Sequence, residues 1–314
     1  MFYIATDSGL YKWNEQDYST QLMNSDQKPV KYLVSSKDGQ SIDALNPECM
    51  QLERTADGKV EPQSVMLDAD KTRLYLGTNP PAIYERGQNG NHWFLVCDLT
   101  RLSFAKEWYT PWGGTPAVRS MAPKPDAPGN FYANIHVGGI IKTSDGGHTW
   151  EQINNGLELD VHQVATNISA PNRVYAATAN GFYLSENQGN TWIKRNCGLH
   201  NLYTRGIAIH ANNPDIILLS GSPTSPPGWR GENGAQFSLF YTCNGGLNWE
   251  QINDGFGISI PDVIDTNCIA FSMTNKDAAM FSLHSGVIFA SDNYKKSWRQ
   301  VAHDLPTINS IYAA

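Results

Sequence analysis

Thr143-Ser-Asp145-Gly-Gly147-His-Thr149-Trp150 recurs, in varied form, four more times in this 314-residue chain. The other copies are Ser185-Glu-Asn187-Gln-Gly189-Asn-Thr191-Trp192, Thr242-Cys-Asn244-Gly-Gly246-Leu-Asn248-Trp249, Ser291-Asp-Asn293-Tyr-Lys295-Lys-Ser297-Trp298 and a worn Arg86-Gly-Gln88-Asn-Gly90-Asn-His92-Trp93. A hydroxyl followed two positions later by Asp or Asn offers side-chain acceptors to the N–H groups of a tight turn. Glycine at the fifth position takes the positive φ that other residues resist. The closing Trp leaves the turn and packs into an adjacent apolar layer. Each stretch is therefore read as a turn with its own internal wiring, a structural device and not a reactive centre.

Two further patterns precede each turn. One is strand, tight turn, strand, clearest in Tyr175-Ala-Ala-Thr-Ala-Asn-Gly-Phe-Tyr183 and repeated at 131–139, 281–289 and 3–11. The other is a short apolar strand before it, as in Val118-Arg-Ser-Met-Ala122, Val161-His-Gln-Val-Ala165, Thr204-Arg-Gly-Ile-Ala208 and Thr266-Asn-Cys-Ile-Ala270. The repeat thus reads strand A, strand B, turn, strand C, Trp-closed turn, strand D: four antiparallel strands.

The Trp-closed turn resembles the Asp-box, or BNR repeat, S/T-x-D-x-G-x-T-W. The resemblance covers at least residues 61–302. It implies an all-β fold, a single β-propeller over 1–314 in which each box joins strands C and D of a blade. The segments 307–314 plus 1–23, 28–60, 61–110, 117–155, 160–197, 204–253 and 265–302 make seven blades. The count falls to six if 28–60, which has no box and contains Asn46-Pro47, is an excursion. Thr307-Ile-Asn-Ser-Ile-Tyr312 reads as a strand A whose partners are residues 1–23, so the ring is expected to close by pairing the two chain ends.

Composition agrees with short strands and many turns: 17% charged residues, 11% aromatic, 27 glycines. The formal charge of −7 speaks against a nucleic-acid partner. No apolar run approaches the ~18–20 residues needed to span a bilayer, so no membrane partner is expected. The five cysteines are odd in number, widely spaced and without a C-x-x-C pair, as in packed, reduced thiols. Met1-Phe-Tyr-Ile-Ala-Thr6 carries no secretory leader, which gives a cytoplasmic expectation unless a leader has been removed.

In a propeller, strand A lines the central channel, and the D–A and B–C loops form the mouth opposite the boxes. The same early position of strand A reads Gln63, Arg119, His162, Arg205, Asn267 and Asn309. All six are polar, and two are guanidinium groups suited to carboxylate, sulfate or phosphate. The bland reading is a wet channel with its arginines paired. Loops over the mouth bring Trp108, Tyr109 and Trp112, and an insertion brings Trp229, Arg230 and Glu232; aromatics beside polar groups suit sugar rings or flat ligands, or else fold down as anchors. His136 and His284 are placed in B–C turns and His200 in a D–A loop. Asp160 lies two residues before His162 on one strand face, an arrangement in which it would orient the imidazole as a general base. Several histidines at one mouth also suit a divalent metal, although no metal site is assigned. His210, His148 and His92 read as structural.

Asp-boxes occur in sialidases, xyloglucan-cleaving glycosidases, sorting receptors and photosystem assembly factors. The resemblance to sialidases implies an arginine trio, for which Arg119, Arg205 and Arg230 are available, with Tyr203 or Tyr109 as phenol and Glu232 as carboxylate. The F/Y-R-I-P motif of those enzymes is missing. The resulting expectation is a propeller whose funnel binds a small anionic, sugar or aromatic molecule, with lyase- or hydrolase-type acid/base chemistry at His162 and Asp160. The alternative is a non-catalytic scaffold for a protein partner.

Overall fold

Val174–Thr178 and Gly181–Ser185 are buried along their whole length, and this follows from their place in the middle of a four-stranded sheet that is covered on both faces. The inner strand Val161–Thr166 pairs on one side of them and the short Ile193–Lys194 on the other, all antiparallel. The same order is repeated by Val118–Pro123, Phe131–Ile135, Gly139–Thr143 and Glu151–Gln152 before it, and by Tyr203–Ile209, Ile217–Ser222, Ser238–Thr242 and Glu250–Ile252 after it. Ile269–Phe271, Ala279–Ser282, Ile288–Ser291 and Arg299–Ala302 form the next blade. This computed structural model describes residues 1–314 apart from 16, 18, 25, 36–41, 54–58 and 88–89.

The ring closes through the chain ends. Ile308–Ala313 pairs antiparallel with Phe2–Thr6, Ile4 facing Ile311 and Phe2 facing Ala313, and Gly9–Trp13 and Thr20–Leu22 complete that blade. The sixth blade holds Glu61–Leu67, Leu74–Asn79, Ala82–Arg86 and His92–Asp98, with Gln51–Leu52 added in parallel at its outer edge. Among the described residues there are thus six full blades, not seven. Segment 28–60 departs from the repeat: Tyr32–Ser35 and Ile42–Leu45 make a two-stranded hairpin, and Pro47–Cys49 a 3-10 turn capped by Asn46. With no box to join a third and fourth strand, it remains a wedge whose inner strand lies between Ile308–Ala313 and Glu61–Leu67.

The boxes are wired as their residue types dictate. The Gly147 N–H donates to Thr143 Oγ1 (3.0 Å), and the N–H groups of His148 and Thr149 donate to Asp145 Oδ1 (3.0 and 2.9 Å). Gly189 and Gly246 repeat the first bond to Ser185 and Thr242, and Thr191 and Asn248 repeat the last to Asn187 and Asn244. Gly147 sits at φ 96°. The indoles of Trp192 and Trp249 donate to Ile153 O and Arg195 O of the preceding blade (2.6 and 2.8 Å), so these boxes also fasten neighbours together. Trp150 and Trp298 donate within their own boxes. The worn copy includes 88 and 89, outside the described residues, but its Trp93 is buried against Val34 of the hairpin and Tyr84. The apolar core lies between successive blades. No helix among the described residues is long and apolar enough to cross a membrane.

Candidate functional site

Residues near the start of the inner strands meet at one end of the channel, the mouth. Gln63, Arg119, His162, Arg205, Asn267 and Asn309 all line one cavity of about 290 Å3 there. The hairpin contributes Lys31 and Tyr32, the loop before the inner strand Ile269–Phe271 Asp265 and Thr266, and a B–C turn His284. A second cavity of about 180 Å3, sharing Tyr32 and Asn267, continues the channel past Ser64, Ser120 and Gln163.

The two guanidinium groups are held differently. Arg205, 14% exposed, donates to one oxygen of Asp265 from Nε (2.8 Å) and Nη2 (2.5 Å). Burial works against both charges, but each partner outweighs that for the other: Asp265 is held below the usual carboxylate range and Arg205 above its own. Arg119, 25% exposed, meets Asp160 at ion-pair distance, with Nη1 3.8 Å from Oδ1, beyond a hydrogen bond. Its Nη1 has no hydrogen-bond partner among the described residues. Burial and the charge of Arg205 push its pKa down, against the pull of the Asp160 carboxylate.

His162 is 1% exposed. Its Nδ1 lies 2.5 Å from the Thr204 carbonyl, which can only accept, so Nδ1 carries the proton. Burial lowers its pKa and keeps the ring neutral. The other nitrogen, Nε2, is then a lone pair, 3.5 Å from Asp160 Oδ1 and without a hydrogen bond. The expected general base therefore presents neither nitrogen to the cavity: Thr204 O fixes Nδ1, and Asp160 stands against Nε2. The physical reason is that the ring turns sideways into the gap between two blades, against Tyr203 (centroids 4.5 Å apart).

The loop residues separate into three groups. Trp108 is buried in the core between blades, against Phe104 and Gly138, and is no ligand platform. Trp229 is also folded down: its indole donates to Ser222 Oγ and Thr224 O, and its ring backs Phe237, Tyr203 and Arg205. Arg230 and Glu232 are exposed and away from the residues lining the channel, so an arginine trio does not assemble. Trp112, His136, Asp160 and Tyr203 line a separate pocket of about 410 Å3 beside the mouth, while Tyr109 is 58% exposed on the same loop as Trp112.

His200 packs on Phe240, His284 is in the channel cavity and His136 in the side pocket. Among the described residues no three His, Cys, Asp or Glu side chains come together as a metal site. His210 accepts from the N–H groups of Asn212 and Asn213 and donates to Lys276 O. Asn309 Nδ2 donates to Asp7 Oδ1 and Val30 O, so it ties the closing blade to the hairpin as well as lining the cavity. Asp265 was not singled out from sequence, although it stands two residues before Asn267 as Asp160 stands before His162. Lys31 carried no signal, since its segment has no repeat to align.

The family model described as sortilin, neurotensin receptor 3 (Sortilin-Vps10) matches residues 138–260. No curated protein matches the chain. Among solved structures it is similar to an ancestral GH74 enzyme, at 17% identity and TM-score 0.55, over 99% of this chain and 36% of that one. The chain thus spans about a third of that enzyme's length. It is similar to YCF48 from Cyanidioschyzon merolae, at 15% identity and TM-score 0.55, over 95% of this chain and 88% of that one. A structure of YCF48 bound to D1 peptide matches at 13% identity and TM-score 0.51, over 95% and 77%. At these identities the likeness is one of fold: the chain is a β-propeller.

Proposed function

We propose that the channel mouth binds a small anionic molecule and that Arg119 takes the anion. The observation that supports this is the contrast between the two guanidinium groups: Arg205 is spent on Asp265 through two hydrogen bonds, whereas Arg119 lines the cavity with only an ion-pair contact to Asp160 at 3.8 Å. A carboxylate or sulfate at Arg119 would receive charge-assisted hydrogen bonds and relieve the repulsion from Arg205. Lys31 adds charge, and Gln63 and Asn267 add amide groups, on the same cavity. The reading is one of binding; acid/base chemistry at His162 draws no support from a ring with both nitrogens turned to the protein. A thermal-shift screen with acetate, benzoate, sulfate and phosphate tests it, since a ligand of the folded state raises Tm by mass action. At least one anion should raise Tm in the wild type and fail to do so in Arg119→Gln; no shift with any anion, or equal shifts in both proteins, would overturn it.

A second reading, a scaffold docking a protein partner on this face, draws on Tyr109 and Trp112, which are 58% and 63% exposed. It also fits the likeness to YCF48, which has been seen with a bound peptide. Loss of partner capture in Tyr109→Ala, with anion binding intact, would favour it.

A further inference from the structure

Six blades and the hairpin give the channel one inner strand each. The hairpin's is Tyr32–Ser35, between Ile308–Ala313 and Glu61–Leu67. Lys31 stands immediately before it and is placed by three contacts. Its N–H donates to Leu45 O (3.0 Å), its carbonyl accepts from Ser310 Oγ (3.2 Å), and its ammonium lies 5.5 Å from the centre of the Tyr32 ring. Next around the ring come Gln63 on Glu61–Leu67 and Arg119 on Val118–Pro123. Ser64 fastens those two strands by donating to Val118 O (2.7 Å). Lys31, Gln63 and Arg119 thus follow one another along the wall of the channel cavity.

This arc differs from the rest of the wall in how its polar groups are used. Elsewhere they are spent on the protein. Arg205 donates twice to Asp265, His162 Nδ1 to Thr204 O, and Asn309 Nδ2 to Asp7 Oδ1 and Val30 O. Asn267 Oδ1 accepts from Gln163 Nε2 (3.2 Å). In the arc, no hydrogen bond or ion pair engages the side chain of Lys31 or of Gln63 among the described residues. Arg119 meets Asp160 at 3.8 Å without a hydrogen bond. Its Nη1 is enclosed beside that carboxylate, so the cavity meets the other donors of the guanidinium. A guanidinium carries five N–H donors and can serve a second carboxylate from another edge. The arc therefore holds two cations with donors to spare and an amide between them. Sheets packed face to face lie about 10 Å apart, and the strand of Gln63 separates the other two, so the cations start from well-spaced points of the wall. A short chain with a carboxylate at each end gives each cation an anion; a compact anion leaves one of them without. The cavity, about 290 Å3, is at the low end of small-molecule sites, ~300–1,000 Å3, which keeps that chain to a few carbons.

We propose that the channel mouth takes a small linear dicarboxylate, with one carboxylate on Arg119, the other on Lys31 and the connecting chain passing Gln63. The proposal rests on the anion reading of this cavity and adds to it the second charge and the residue that selects for it. Calorimetric titrations at neutral pH compare succinate and glutarate with butyrate, which has one carboxylate, and with sulfate, which has two charges on a compact ion. Succinate or glutarate should bind the wild type at least about tenfold more tightly than butyrate or sulfate, the scale of one charge-assisted hydrogen bond. Lys31→Gln deletes the ammonium and keeps the backbone bonds of residue 31; it should remove that preference while butyrate keeps most of its affinity. Butyrate binding as tightly as both dicarboxylates, and still lost in Arg119→Gln, would overturn the proposal and leave the anion reading standing. Sulfate matching the better dicarboxylate, or a dicarboxylate preference undiminished in Lys31→Gln, would also overturn it. Failure of every anion to bind would remove the anion reading and this proposal together.

Discussion

The two faces of this ring treat polar groups in opposite ways. At the boxes of the three central blades, hydroxyl and carboxylate or amide acceptors are consumed inside the turn, by the N–H groups of Gly147, Thr149, Gly189, Thr191, Gly246 and Asn248. At the mouth, Arg119 Nη1, Asp160 Oδ1 and His162 Nε2 are buried near one another and none has a hydrogen bond. Both faces are built by the same repeat. Local satisfaction closes one to outside chemistry, and convergence of six or more strands, each bringing one polar residue, leaves the other open.

That contrast is tested first where the expected effect is largest. Trp192→Ala removes a buried ring and an inter-blade hydrogen bond, and should cost about 3–5 kcal/mol by chemical denaturation. Full stability would show that boxes do not fasten blades. Next, Arg205→Gln should destabilise the fold more than Arg119→Gln, because it strands Asp265 while the second strands no hydrogen bond. Equal denaturation midpoints would remove the distinction between the two guanidinium groups. Asp145→Ala should cost about 1–2 kcal/mol, the scale of hydrogen bonds to a charged acceptor. Burial is the largest single influence and works against the Asp145 charge, but the bonds from Thr149, Thr143 and His148 together outweigh it and bring its pKa down to about 2. Its contribution is therefore present above the unfolded value near 3.8 and lost as pH falls toward 2. The smallest effect is at His136. With a folded pKa near 4 against 6.5 unfolded, the unfolded chain binds the extra proton, so stability drops as pH falls from 6.5 to 4. His136→Gln should flatten that part of the Tm–pH curve, and an unchanged slope would place the titration elsewhere.

How much of this was legible in the sequence differs between the faces for the same reason. A box is local: Thr143, Asp145, Gly147 and Trp150 lie within eight residues and determine their own turn, so architecture and ring closure can be read directly. The six mouth residues were also legible, because the repeat aligns them and they line one cavity. Side-chain direction was not. His162 turns to Thr204, forty-two residues away, and Trp108 and Trp229 fold into gaps whose shape depends on neighbouring blades. The paired strands Tyr32–Ser35 and Ile42–Leu45 were half legible: the missing box marked 28–60 as the blade in doubt and left a count of six open, but no repeat aligned its residues with the channel.

The measurement that bears most directly on the central claim is a calorimetric titration of the anion that gives the largest thermal shift, carried out on the wild type and on Arg119→Gln. The account predicts at least about a tenfold loss of affinity, as for one charge-assisted hydrogen bond or more, with the melting temperature of the free variant close to that of the wild type. Retention of full affinity in Arg119→Gln would contradict it.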